Sequence, residues 1–599
     1  MTPAIDAVDV LVWGGGTGGV AAAIQAARSG ASTLLLTPGS WLGGMVSAAG
    51  VCCPDGNELT PWQTGLWGAF LRALEQAEPT GLDHNWVSCF GYRPATAEAI
   101  LQSWVQELPA LQWWPRCQLL EVERQGSRIN AVRVEADGAV HQVRCSVVID
   151  GSDRGELLPL ASAAYRLGWE PQEQWGEPSA PAQARLESEA FFQQQPVQSP
   201  TWVVMAQLQS DRLAPEPSRG IDPAAPTQLA TPFERACEAF GLERTITYGR
   251  LPGGLVMLNW PLDGNDWDHG LERAFSADAQ EQEALAGDMQ AHSLRFAEAL
   301  QQASGGWLQL GDAFPSTAGS PAPWLAAMPY WREGRRMLGC HTLIEQELLP
   351  LGSGESVGPL PLDGTGALQS IAVGNYSNDH HYPGPDWPLA PKSIRWGGRW
   401  SGTPFCIPYG ALVSAEIDNL LAADKAFSTS HMANGATRLQ PLILNVGQAA
   451  GAAAALAVRS GVPPAELPVR ELQECLINDE RAPSAVAPLW DVPWHHPQWR
   501  ERQLAALGAP ATIHQSTPAS PDAGSIPQEP HERVFSGRLT PDGNGAFQLS
   551  IATGEVWPVI TLEPSLHRWL AQLDQAREVE LIGCANPWGP WLRVSRLAG

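Results

Sequence analysis

Lysine is almost missing from this chain. Among its 37 Lys and Arg residues only Lys392 and Lys425 are lysines, so a mechanism built on a Schiff base is confined to those two. Positive charge is scarce altogether: 63 Asp and Glu leave a formal net charge of −26. That balance disfavours nucleic acid and anionic membrane surfaces as partners. The ten cysteines include no C-x-x-C pair and no metal-type spacing, so no metal site is expected. Cys52 and Cys53 are adjacent, which is poor geometry for a simple structural bridge. No uninterrupted apolar segment reaches transmembrane length. The first apolar strand begins by about Val8, which leaves no room for a signal peptide ahead of it. Reduced thiols and a cytoplasmic setting are the resulting expectation.

What is present is concentrated near the start. Val10 to Trp13 form an apolar run that ends in glycine; an alanine-rich helix follows and stops at Gly30; a second apolar run covers Thr33 to Leu36. Gly14, Gly16 and Gly19 stand at G-x-G-x-x-G spacing inside this strand–turn–helix–strand unit. The first glycine permits the tight turn, the second lets the backbone approach a pyrophosphate, and the third lets the helix lie close to the strand. With Thr17 and Gly18 opening the helix, its N-terminus offers N–H groups and a positive dipole end to phosphates. Dinucleotide binding is the reading. The acidic ribose-binding residue expected about 20 residues past the motif is replaced by Thr37, whose hydroxyl bonds a ribose without charge assistance. A second glycine cluster, Trp41-Leu42-Gly43-Gly44-Met45, comes next.

Farther along, residues 95–107 read as a helix. Cys117–Arg124, Arg128–Glu135 and Val140–Ile149 read as an antiparallel meander whose last strand ends in Asp150-Gly151, a second point where a parallel sheet can meet a ligand. Residues 170–400 change texture, with strands Trp202–Leu208 and Gly254–Trp260, a helix Glu281–Gln302 and many Pro, Gly and Trp residues. Sheet-and-helix patterning returns near Ile407, with a short strand in Asp418–Ala423 and a small-residue helix Pro441–Ser460 containing Gly447-Gln448-Ala449-Ala450-Gly451. Residues 508–531 read as a linker. Residues 533–597 alternate again, as a β-rich module with a helix near 564–574.

Several separated motifs carry a resemblance. They are Gly14–Gly19 with Gly43-Gly44-Met45; Ile149–Leu157 running on to Tyr165–Glu170; Asn259-Trp260-Pro261 with Gly264-Asn265-Asp266; Trp331-Arg332-Glu333-Gly334-Arg335-Arg336; Tyr376–Asp379 with His381; and Asp418–Leu421, Ser428, His431, Arg438 and Gly447–Gly451. On these the chain resembles FAD-dependent oxidoreductases with a glutathione-reductase-type flavin fold, in the branch sometimes called xanthan-lyase-like, over roughly residues 8–475. The resemblance implies an α/β fold: a Rossmann-like FAD-binding domain in two parts (1–170 and 401–480), an inserted α+β substrate domain (171–400), a Pro-rich connection and linker (481–532) and the C-terminal module (533–599). It implies FAD held by Gly14, Gly16, Thr17, Gly18, Gly19, Thr37, Gly43, Gly44, Met45, Asp150 and Gly151. It also implies that the helix carrying Gly447, Gln448, Ala449 and Ala450 points its N-terminus at the flavin. Thr37 and Lys425 depart from the family's usual acidic residue and arginine.

A flavin carries hydride chemistry, and substrate oxidation then needs a base for the O–H or N–H proton. His431 and His381 are the candidates, since imidazole titrates nearest neutrality. Asp379 is placed to orient His381, and Arg438 opens the flavin-side helix. Arg332 and Arg336 share a helical face at i, i+4, with Glu333 able to pair with Arg336. Trp387, Trp396 and Trp400 could stack on a ring or fill a domain interface. The expected activity is hydride transfer between a small organic substrate and FAD. The alternatives are a lyase or isomerase acting on a carbohydrate with FAD in a non-net-redox role, and an NAD(P)-binding protein without flavin.

Overall fold

The computed structural model describes residues 6–209, 228–261, 263–315, 322–350, 357–383, 403–515, 526–543, 545–588 and 591–598. Trp387, Trp396 and Trp400 lie outside them. The opening unit folds as the spacing predicts. β1 (Ala7–Trp13) runs parallel to β2 (Thr33–Leu36), and α1 (Thr17–Arg28) crosses between them. β3 (Leu111–Trp114) extends the sheet in parallel beyond β2. On the other side β1 pairs with the second half of β6 (Ala139–Asp150), with Trp13 opposite Asp150. The first half of β6 pairs instead with β5 (Arg128–Ala136), which pairs with β4 (Gln118–Gln125). One long strand thus serves both the parallel sheet and the meander.

The returning segment of the chain completes this sheet. Leu420–Ala422 pairs in parallel with Val148–Asp150 of β6. Helix Gln440–Ser460 then lies directly on α1. The strands are apolar on both faces because helices cover them: Leu11, Leu34, Leu35 and Ile149 have no exposed surface. Each such side chain contributes about 1.5–3 kcal/mol. Gln440–Ser460 is also, among the described residues, the one helix long and apolar enough to cross a membrane, but 94% of its apolar window is buried against the rest of the protein.

The inserted region forms a three-stranded antiparallel sheet, Leu308–Leu310, Val204–Leu208 and Leu255–Leu258, under the helix Ala279–Ala303. Two expectations need correction. The Arg332–Arg336 segment is not helical: Arg336–Met337 is a short strand paired with Tyr165–Arg166. Glu333 does pair with Arg336, at 3.2 Å, as the sequence suggested, while Arg332 pairs with the distant Asp266 and Arg336 also with Glu170. The stretch expected as connection and linker contains a helix, Trp499–Gly508, that buries Trp499, Gln503, Ala506 and Leu507.

Residues 533–597 form a closed barrel of five strands: Arg533–Pro541, Phe547–Ile551, Val556–Thr561, Arg577–Asn586 and Trp591–Leu597. The order around the barrel is first, second, third, fifth, fourth; the third and fifth strands are parallel, and helix Pro564–Ala571 joins the third to the fourth. This is the topology of an OB-fold. The barrel has its own apolar cluster around Leu539, Leu549, Leu581 and Leu592. Buried polar contacts fix it to the body of the protein. Asn586 donates to Asp83 at 2.6 Å and to the Asn85 carbonyl at 2.8 Å, and the Thr60 hydroxyl donates to Glu563 at 3.0 Å.

Candidate cofactor cradle and substrate cavity

The glycine motif is held by backbone contacts that leave no space for side chains. Gly14 turns with φ +99°, and a Cβ on it would lie 2.6 Å from the backbone of Gly151 and Ser152. A Cβ on Gly18 would come within 1.6 Å of the Ala423 carbonyl oxygen. The second glycine cluster rests on the first: the Gly43 N–H donates to the Gly15 carbonyl at 2.8 Å, and the Thr17 hydroxyl donates to the Gly43 carbonyl at 2.7 Å. Met45 is fully buried beside it in the core.

Gly16 caps α1 and has no side chain with which to do so. One of the free N–H groups of the first turn, that of Gly18, donates to Asp424 Oδ2 at 2.7 Å. Asp424 also holds Lys425 Nζ at 2.9 Å, and Asp153 holds the same ammonium from its other side. Burial works against the charge on Lys425, but the two carboxylates outweigh it and raise its pKa. A buried amine kept protonated in this way is not a Schiff-base nucleophile.

Three of the expected cofactor contacts are otherwise engaged. Thr37 is buried; its hydroxyl donates to the Gly39 carbonyl at 2.8 Å and accepts from the Trp113 indole at 3.0 Å. Asp150 ties down its own loop: Oδ1 accepts from the Ser152 N–H and hydroxyl, and Oδ2 from the Leu157 N–H. Gly151 serves the close approach of α1, since a Cβ there would meet Gly19 Cα at 2.3 Å. The third case is the Gly447–Ala450 segment, which lies well inside the helix, away from its N-terminus. A Cβ on Gly447 would sit 2.2 Å from the Gly18 carbonyl oxygen, and Gln448 bonds the Leu66 N–H and the Ala482 carbonyl. Gly447 thus packs the helix against α1, Gln448 ties it to Leu66 and Ala482, and none of the four residues lines the cavity.

The N-terminus of that helix is at Leu439 and Gln440, beyond the start of α1, and no side chain caps it. It opens on a cavity of about 1510 Å³ lined by Val51, Arg438, Leu439 and Gln440 together with residues of the inserted region and the barrel. The glycine motif itself does not line this cavity. Gln440 bridges toward it, donating to the Val51 carbonyl at 3.2 Å, while its buried Oε1 has no protein partner.

A chain of charged groups crosses the cavity wall. Arg438 Nη1 donates to Tyr330 Oη at 2.6 Å, and Nη2 contacts Asp379 Oδ2 at 3.1 Å. Asp379 Oδ2 lies 2.9 Å from His381 Nε2, and His381 Nδ1 lies 3.0 Å from Asp266 Oδ2. Asp266 pairs with Arg332 at 3.0 Å. Burial pushes the Asp266 carboxyl up, but Arg332, His381 and Thr201 together hold it down to about 2. His381 is thus held between two carboxylates, one at each ring nitrogen, and Asp379 stands where the sequence placed it, beside that ring.

His431 is placed elsewhere. It is 1% exposed and does not line the cavity; Nδ1 contacts Glu333 at 2.9 Å, and the ring lies against Trp169 with centroids 3.8 Å apart. Arg336 is likewise structural, pairing with Glu170 at 3.0 Å and Glu333 at 3.2 Å. Cys53 lines the cavity, but burial raises its pKa well above the usual thiol range, and that of Cys52 with it; neither is poised as a thiolate. Among the described residues, no group of three His, Cys, Asp or Glu is arranged to hold a metal. Tyr330 and Asp424 were missed by the sequence reading. Each abuts a motif, Tyr330 next to Trp331-Arg332 and Asp424 next to Lys425, and adjacency was the only available signal.

A parallel sheet with a glycine turn at the start of one helix, and a second helix N-terminus opening on a separate cavity, define a protein of the dinucleotide-binding class. The family model described as FAD dependent oxidoreductase matches residues 9–476, and the chain belongs to that family. Its cofactor is FAD. The side-chain-free cap at Gly16 and the unpartnered Gln440 Oε1 are consistent with this. No curated protein matches the chain. Solved structures with slight likeness include a triple mutant of the flavin-dependent brominase Bmp2, 10% identical over 78% of this chain and 82% of that one, with a TM-score of 0.32. The myxobacterial chondrochloren halogenase CndH is 12% identical over 55% of this chain and 65% of that one, TM-score 0.27. The p-nitrophenol 4-monooxygenase PnpA from Pseudomonas putida DLL-E4 is 11% identical over 28% of this chain, TM-score 0.21; the chain spans 46% of its length. None of these comparisons singles out the xanthan-lyase-like branch.

Proposed function

We propose that this FAD-dependent oxidoreductase exchanges a hydride with an organic substrate held in the cavity at Arg438. Bound FAD supplies the two-electron chemistry. Gly14, Gly16, Thr17, Gly43 and Gly44 would hold its pyrophosphate portion at the first turn of α1, where N–H groups and the helix dipole favour negative charge.

The chain's own residues then supply orientation and proton handling. Arg438 is 2% exposed and fixed between Tyr330 and Asp379, so it holds both in place with little freedom of its own. Tyr330 Oη accepts from Arg438 and keeps its own proton to donate to a ligand. Asp379, 30% exposed, is the carboxylate of the chain most open to the cavity. It is the group that receives a proton from a substrate O–H or N–H. His381 holds Asp379 from one side and is itself anchored by Asp266. The N-terminus of Gln440–Ser460 favours negative charge at the same end of the cavity.

One observation carries this reading: an uncapped helix N-terminus and a continuous Arg438–Asp379–His381–Asp266–Arg332 chain meet at one cavity. The test is an absorption spectrum with mass analysis of the released cofactor, followed by an anaerobic substrate screen. Yellow protein releasing FAD, and bleaching by a substrate, are expected. Asp379→Asn should retain FAD and slow bleaching by roughly a hundredfold. Protein that takes up no FAD, or an Asp379→Asn variant that bleaches at the wild-type rate, contradicts the proposal.

A further inference from the structure

Building on the reading that the cavity holds the substrate, we infer that the substrate is amphipathic: an oxygen-bearing head at Arg438 and an apolar body that reaches the C-terminal barrel. The cavity is not uniform. Its charged lining, which includes Asp266, Arg332, Asp379 and Arg438, comes wholly from the flavin and inserted regions. The barrel wall, with Phe547, Pro558, Ile560, Leu570 and Trp591, contributes no Asp, Glu, Lys or Arg.

Between the two lies an aromatic cluster. Trp86 meets Phe240 at 5.3 Å and Tyr248 at 5.7 Å, and Trp260 meets Tyr248 at 5.1 Å and Phe240 at 5.7 Å. All four rings line the cavity. Phe240 remains 37% exposed. An apolar ligand body covers that surface; a wholly polar one leaves it wet.

Rigidity agrees. The barrel is fixed by Asn586, Asp83, Thr60 and Glu563, so its wall is a permanent part of the site. The barrel residues concerned fall on the loop between its first two strands, on its second and third strands, on its helix (Leu570) and at the start of its fifth strand (Trp591); the first three of these belong to the side that binds ligands in barrels of this topology. The commonest ligands of such barrels are oligonucleotides and oligosaccharides. The barrel wall carries no Lys or Arg to hold the phosphates of the former and offers the latter few polar partners.

The holoenzyme is titrated with hexanoate, decanoate and tetradecanoate, following tryptophan fluorescence and the flavin difference spectrum. Affinity should rise roughly two- to fourfold per added methylene. Ala546→Trp, at an exposed loop position of the barrel wall, should flatten that dependence by shortening the cavity. Pro558→Asp, at a second exposed wall position, should weaken tetradecanoate at least tenfold, which keeps the test intact if the first variant misfolds. Equal affinity for the three acids overturns the inference, as does tighter binding of cellotetraose than of tetradecanoate. Chain-length dependence in protein that takes up no FAD would refute the oxidoreductase reading and leave this one standing. Flavin reduction by a small substrate without chain-length dependence would do the reverse.

Discussion

Gly16 is the residue on which cofactor retention turns. It caps α1 without a side chain, and a Cβ there would stand 2.8 Å from Asp424 Oδ2 and 2.9 Å from the Gly151 carbonyl oxygen. Gly16→Ala forces the carboxylate or the turn to move, just where N–H groups face the pyrophosphate. At least a tenfold loss of FAD affinity with unchanged far-ultraviolet circular dichroism is expected from a flavin fluorescence titration; equal affinity would show that the cradle lies elsewhere. This residue was legible in the sequence because its motif is local: strand, turn and helix follow within a few positions. Of the two partners of His381, Asp379 was legible two positions before it, and Asp266 was not. Asp266 stands 115 residues before it, and no periodicity reports that the chain folds back there. The surroundings of His431 were not legible for the same reason, since Trp169 and Glu333 reach it from distant segments.

At the scale of elements, α1 and Gln440–Ser460 cross through their smallest residues. Gly447 faces Gly18, and Gly451 faces Ala22. Gly447→Leu must separate two helices that also carry the two N-terminal ends of the site. Destabilisation of about 1–3 kcal/mol or more is expected from denaturant midpoints, together with weakened FAD binding; an unchanged midpoint would mean that the helices already have room to part. The two elements were each visible as apolar, small-residue helices. Their contact was not, and so the glycines of the later helix read as ligand contacts when they serve packing. The Arg332–Arg336 stretch erred in the opposite sense. Its helical charge pattern was real in sequence, but Glu170 and Asp266, brought in by tertiary structure, satisfy those arginines better than a helix could.

For the whole molecule, buried carboxyls set the dependence of stability on pH. Burial raises Asp150 to about 7, outweighing the hydrogen bonds from Ser152 and Leu157, and raises Glu177 to about 7 against the bond from Ser430. Both therefore hold a proton in the fold that the unfolded chain has released above roughly pH 4. The folded state binds more protons across that window, so stability is fully present at its lower end and falls as pH rises through about 7. The net charge of −26 acts in the same direction, since protonation relieves self-repulsion. Asp266, held down to about 2, acts oppositely, and its contribution is lost only as pH falls below roughly 4. The melting temperature should be higher at pH 5 than at pH 8 in matched ionic strength. A maximum at pH 8 or above would show that these carboxyls are ionised in the fold. The parallel sheet, its glycine turn and the return of the chain near residue 420 were all readable from apolar runs. The barrel's role as a cavity wall was not, because only the folded chain brings residues 545–591 against residues 240–269.

The interior position of Lys425 has a practical corollary. Sealed between Asp153 and Asp424, it is closed to acylating reagents as long as the fold persists. Lysine-directed coupling of the folded protein therefore leaves Lys425 unmodified. Modification at Lys425 becomes a record that the interior has come apart.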